Sequence, residues 1–156
     1  MSSAAIAITR LIKIEGGLVK LPDGAGLTNM GLTQKTYPDL DIEDLTIEQA
    51  TRIYKLDWWD KMYLDKINSQ EVANHLLDHA VNSGIKPAVK VLQKMLNVSQ
   101  DGIMGAITID AINKHTNDYL FICNYKLEII RWYKNLARKP KNRDFLYLWV
   151  SRIFTE

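Results

Sequence analysis

One carboxylate of this chain sits where carboxylates are seldom found. Between Ser3 and Glu15, the residues Ile8, Leu11 and Ile12 fall at offsets that line one helical face. Glu15 follows Leu11 by four positions and Ile12 by three, so it belongs to that same apolar stripe. A glutamate placed there should be desolvated, which disfavours its charged form. A carboxylic acid that keeps its proton near neutrality is a general acid, able to protonate a departing oxygen. The Gly16-Gly17 pair ends the helix, because glycine accepts the backbone conformations of a helix terminus. The acid should therefore stand at the lip of the helix. A glycine-punctuated segment then brings further oxygen-bearing side chains back toward it: Pro22-Asp23-Gly24, followed by Gly26-Leu27-Thr28-Asn29-Met30-Gly31-Leu32-Thr33. An acid facing a second carboxylate and a hydroxyl is an arrangement suited to hydrolysing a glycosidic bond.

The run from Glu15-Gly16-Gly17-Leu18-Val19 to Thr33 resembles the signature of the glycoside hydrolase family 108 muramidases, which reads roughly E-G-G-Y-V…D-P-G-G-x-T-N-x-G-I-T. Trp59-Asp60 through Leu77-Asp78-His79-Ala80-Val81-Asn82-Ser83-Gly84 resembles that family's W-D…L-x-D-x-A-V-N-x-G. Leu92-Gln93-Lys94-Met95-Leu96 with Asp101-Gly102-Ile103-Met104-Gly105 is similar to the L-Q…D-G-x-x-G of its predicted peptidoglycan-binding part. The final Phe145-Leu146-Tyr147-Leu148-Trp149-Val150-Ser151-Arg152 is similar to that part's closing F-L-x-G-W-x-x-R. The four stretches keep the family's order and span nearly the whole chain.

The resemblance implies a mainly α, lysozyme-like helical fold with at most a small β-hairpin near residues 20–33. It further implies a catalytic region over 1–86 and a helical peptidoglycan-binding-like region over 87–156, packed as one compact body. The activity implied is that of an N-acetylmuramidase cleaving the MurNAc-GlcNAc backbone of bacterial cell wall, with Glu15 as the catalytic acid. Thr28 is the matching candidate for positioning water, and Asp23 for a base or an electrostatic partner. Asn29, Trp59, Asp78 and Asn82 are the substrate-binding candidates along the groove. Retaining and inverting outcomes both stay open, because the separation of the two carboxyl groups decides between them. The chain departs from the pattern at Leu18 (an aromatic in the family), Ala106 (a frequent proline) and Leu148 (a frequent glycine). The Glu15-to-Thr28 loop is also shorter than typical, which bears on the placement of Asp23.

The elements that must hold these groups are helices. Thr46-Ile47-Glu48-Gln49 is a capping box opening a helix through Ile53 and Trp58. Asn68 can cap a second, with Val72, Leu76 and His79 on one face and Gly84 just past its end. Pro87 suits the first turn of a third, through Val91, Leu92 and Met95. Asp101-Gly102 marks a turn, a helix runs from about Thr108, and Asn117 caps a long one through Leu120, Leu127, Ile130 and Tyr133. The run Arg138-Lys139-Pro140-Lys141-Asn142-Arg143 interrupts before a last helix bearing Phe145, Leu148 and Trp149. Trp58 and Trp59 are adjacent, so they cannot both face a sugar, and one of them belongs to the core.

Composition excludes several classes. The chain has 156 residues, a length that suits a single domain, and a formal charge of +2, too small to argue for a nucleic-acid partner. No apolar run reaches the length of a membrane span. Cys123 is the lone cysteine, so no internal disulfide forms. His75 and His79 lie one helical turn apart, but Leu76 stands where a zincin has its glutamate, and no cofactor or metal is expected. Met1 to Ile8 does not read as a secretory signal. The expectation is a monomer made in the cytoplasm that acts on glycan strands in the periplasm or wall. A phage or prophage endolysin released through a holin would fit. A second class remains open, a non-catalytic or weakly active wall-binding protein assisting secretion or envelope assembly.

Overall fold

The computed structural model describes residues 1–21 and 26–154. Helix α1 spans Ala4–Glu15, with Ala7, Ile8 and Leu11 buried on its inner face. Three short antiparallel strands follow: β1 (Val19–Leu21), β2 (Gly26–Asn29) and β3 (Leu32–Thr33), in the order β1-β2-β3. The expected hairpin is thus a three-stranded sheet, with Val19 opposite Thr28 and Thr28 opposite Thr33. Helix α2 (Ile47–Tyr54) opens on the expected capping box. There the Gln49 amide donates to the Thr46 hydroxyl oxygen at 3.2 Å, and the Thr46 amide donates to Gln49 Oε1 at 2.9 Å. The helix does not run on regularly to Trp58, since Lys55–Trp59 forms a π-helical turn.

Helix α3 (Gln70–Ser83) is the central element, with Val72, Ala73, Leu76, Leu77 and Ala80 fully enclosed. Its cap is Ser69 and not Asn68: the Ser69 hydroxyl accepts from the Val72 amide, three residues on, which is the reach a cap needs. The Asn68 backbone instead donates to Asn113 Oδ1 at 2.9 Å. Gly84, at φ 86°, ends α3 and opens α4 (Ile85–Met95) directly. Helices α5 (Ala106–Asn113) and α6 (Asp118–Leu136) follow, the latter capped by Asn117 as its sequence predicts. A 3-10 segment at Pro140–Phe145 leads into α7 (Leu146–Ile153). No helix of the described residues is long and apolar enough to cross a membrane.

Two buried polar residues organise the interior. Gln93 on α4 is 1% exposed, and its Oε1 accepts from the Gly102 amide at 2.9 Å. Its amide group faces Asp101 Oδ1 at 2.7 Å, the Ile103 carbonyl at 3.0 Å and Thr108 Oγ1 at 3.1 Å. Two amide hydrogens are shared among these three acceptors. The Leu92-Gln93 and Asp101-Gly102 motifs are therefore two halves of one clamp, which ties the loop after α4 to the start of α5. On α3, His79 is 3% exposed, and its Nδ1 lies 2.7 Å from the Tyr125 hydroxyl. Trp132 and Tyr133 of α6 set ring edges against it at 5.7 and 6.3 Å. Burial pulls the His79 pKa down to about 3. Burial, then Lys126 and Arg10, bring His75 to about 4.

Replacing Gln93 by Leu keeps the volume but strands the Gly102 amide, and should cost about 1–3 kcal/mol in urea unfolding. A midpoint unchanged from wild type would refute the clamp. Both histidines carry a folded-state pKa below their unfolded value, so the unfolded chain binds protons that the folded chain refuses. Stability should fall as pH drops from about 6.5 toward 4, by about 1.4 kcal/mol per pH unit for each histidine. His79→Asn removes one of the two contributions. Urea midpoints measured from pH 7 to 4.5 should then show a shallower slope than wild type, and equal slopes would refute a neutral buried His79.

Candidate functional site

Glu15 is the last residue of α1, and Gly16 turns the chain away at φ +78° while its amide donates back to the Ile12 carbonyl at 3.3 Å. The Glu15 side chain is 11% exposed, at the helix lip yet largely covered. Part of that cover is the Met30-Gly31 turn between β2 and β3. Gly31 has φ +79°, and a Cβ there would stand 2.8 Å from both Cγ and Cδ of Glu15 and 2.5 Å from the Tyr54 hydroxyl. Any side chain would collide with the acid, so glycine is required for space as well as for conformation. Tyr54, fully buried at the end of α2, donates its hydroxyl to the Met30 carbonyl at 2.7 Å and fixes that turn. Burial first, then the Glu15 carboxylate, pushes the Tyr54 pKa up, so the phenol keeps its proton.

The remaining cover comes from the opposite end of the chain. Arg152 on α7 donates its guanidinium to Glu15 Oε1, and its Nη2 also lies 3.6 Å from Asp78 Oδ1 on α3. One cation thus serves two carboxylates. Burial raises the Asp78 pKa; Arg152 opposes the shift and Glu15 adds to it. Asp78 Oδ1, Arg152 Nε and His79 Nε2 are buried without a hydrogen-bond partner among the described residues. These three residues and Asn82 help line a small open pocket of about 20 Å³, room for a single bridging water. No residue of α7 is buried, so its placement leans on Trp149, which stacks on Tyr133 at 5.2 Å and on Phe145 at 5.9 Å.

The other residues singled out from sequence fall in varied places. Thr28 sits in β2 and donates its hydroxyl to the Leu32 carbonyl at 3.2 Å. Asn29 is buried and donates to the Ile42 carbonyl at 3.1 Å, which ties the sheet to the following loop. Trp59 is 2% exposed, so it is a core residue and offers no face to a sugar. Trp58 is the partly exposed member of the pair, 5.3 Å from the Tyr54 ring. Asn82 is exposed and donates to the Asp78 carbonyl at 2.7 Å. Asp23 lies outside the described residues. Sequence reasoning assigned no role to Gly31, Tyr54 or Arg152. The arginine closing the last motif was the available signal for the third.

Residues 8–84 match the family model described as glycosyl hydrolase 108, and residues 87–154 match one described as a predicted peptidoglycan domain. A comparison with proteins of curated function finds no match. Among solved structures, the chain is similar to SagA of Brucella abortus, at 33% sequence identity and a TM-score of 0.78. That likeness covers 96% of this chain and 90% of the other. The small sheet, the helical body and the acid at the end of α1 thus stand together with these matches: the chain belongs to the glycosyl hydrolase 108 family, as a glycoside-hydrolase-type enzyme carrying a predicted peptidoglycan domain.

Proposed function

We propose that the protein is an N-acetylmuramidase that cuts the MurNAc-GlcNAc backbone of bacterial peptidoglycan, with Glu15 as general acid. The observation that carries this reading is a largely covered carboxylate at a helix lip, with backbone space cleared for it by Gly31 and a cation set on it by Arg152. A carboxylate held in an ion pair accepts hydrogen bonds, whereas a general acid must donate one. Catalysis therefore asks the guanidinium to release Glu15. Asp78, already 3.6 Å from Arg152, is the partner that can receive it when a glycan strand enters. Thr28, whose hydroxyl oxygen can still accept, is assigned to holding the attacking water, and Asp23 to the role of base or electrostatic partner. Action at the wall, with export through a holin, completes the reading.

A second reading draws on the same ion pair. If Arg152 never leaves Glu15, the chain binds the wall without cutting it and serves secretion or envelope assembly.

Purified wild type and Glu15→Gln, incubated with isolated sacculi and followed by mass analysis of the released fragments, separate the two. Wild type should release fragments with new muramic-acid reducing ends, and the variant should be about 10²- to 10⁴-fold slower. Equal inactivity with retained binding to sacculi would sink the muramidase reading and leave the second. Arg152→Gln tests the counter-ion. Removing the guanidinium leaves the covered Glu15 and Asp78 carboxylates without the cation set between them, so the variant should unfold at lower urea than wild type, by about 3–5 kcal/mol. An unchanged urea midpoint would show that Arg152 does not act on the two carboxylates.

A further inference from the structure

Lys86, Lys90 and Lys94 follow one another at four-residue steps along α4, and so share a face. That face borders a groove of about 490 Å³ between α4 and α6, within the size range of small-ligand sites. Val91 and Trp132 give it an apolar floor, and Asn135 stands at its edge. Lys94 is paired with Glu128 at 2.8 Å. Among the described residues, no carboxylate lies within ion-pair distance of Lys86 or Lys90; Asp101 is a more distant neighbour of Lys90.

These two lysines are also held in place. Gly102, at φ +78°, approaches so closely that a Cβ would stand 2.7 Å from Lys86 Cγ and 3.3 Å from Lys90 Cγ. The turn that Gln93 clamps is thus packed onto both aliphatic stems, and part of the entropy of ordering them is lost on folding, before any ligand arrives. A held pair of cations beside an aromatic floor suits a ligand with short apolar stretches and free carboxylates. The glycan backbone of peptidoglycan lacks that pattern. Its stem peptide, alanine interspersed with carboxylate-bearing residues, has it.

We propose that the groove between α4 and α6 binds the anionic stem peptide of peptidoglycan through Lys86 and Lys90, with Trp132 beneath. The identity of the ligand rests on the wall-acting reading above; the groove and its charge do not. Trp132 also meets His79, the residue after Asp78, at a ring distance of 5.7 Å, so the groove adjoins the cluster around Glu15.

The test uses the full chain and its Lys86→Gln/Lys90→Gln variant, with folding checked by circular dichroism. The probes are the tripeptide N-acetyl-L-Ala-γ-D-Glu-meso-diaminopimelate, the same peptide with its carboxylates amidated, and a peptide-free oligosaccharide of alternating MurNAc and GlcNAc. Titration followed by amide and indole NMR shifts should place the free-acid peptide at α4 and Trp132. Affinity should fall about 5- to 10-fold in the variant and for the amidated peptide, and weaken with salt. Cleavage of peptide-free glycan should be unchanged by the variant. Equal binding of both peptides, or wild-type affinity in the variant, would overturn the proposal. Lysine-dependent peptide binding in a wild type that cuts no glycan would uphold the groove while sinking the muramidase reading. Glycan cleavage with lysine-independent peptide binding would do the reverse.

Discussion

The ion pair between Glu15 and Arg152 is the interaction on which the rest of the site depends. Two carboxylates, on Glu15 and Asp78, are mostly withdrawn from water, and charge withdrawn from water must be paired or neutralised. One guanidinium meets that requirement for both. It arrives from 137 positions along the chain, so the need to compensate buried charge dictates where the last helix docks. Helix α7 buries none of its residues fully, although Leu146, Trp149 and Ile153 pack against the core. The Tyr133-Trp149-Phe145 stack and the ion pair add to that packing. The helix orders the acid, and the acid in turn orders the helix.

Helix α3 shows how one element serves both core and site. Leu76, Leu77 and Ala80 face the interior, while Asp78 and Asn82, one turn apart, line the small pocket beside Arg152. His79 falls between these sets, and burial holds its pKa near 3, so the imidazole stays neutral across the ordinary pH range. The cations acting on Asp78 are Arg152 and, beyond ion-pair distance, Arg10.

Much of this was legible in the chain because its cause is local. The stripe Ile8-Leu11-Ile12-Glu15 is a matter of helical period, and the Thr46 capping box and the Asn117 cap are matters of spacing within one turn. Where the expectation was off by a residue, as between Asn68 and Ser69, two capable side chains stood side by side, and spacing within one turn does not tell which of them caps the helix. Trp59 was read as a candidate for sugar contact because nothing local tells a core tryptophan from a groove one. Arg152 had no role because its partner is set by the whole topology. The Gln93 clamp lay between: both halves were visible as motifs, and their contact was not.

The contact between Arg152 and Glu15 also bears on what the two family-matched regions are to each other. The acid belongs to the region matched as glycosyl hydrolase 108, and its counter-ion to the region matched as a peptidoglycan domain. A wall-binding module attached only to raise local substrate concentration would have no need to place a side chain on Glu15, the proposed general acid. Here the second region supplies the cation that the first region's buried carboxylates require, and its Trp132 and Tyr133 cover His79 of α3. Without them, Glu15 and Asp78 would face each other unpaired, an arrangement that low dielectric makes costly. The electrostatics of the acid are therefore a property of both regions together, which gives any ligand held by the second a physical route to the chemistry of the first.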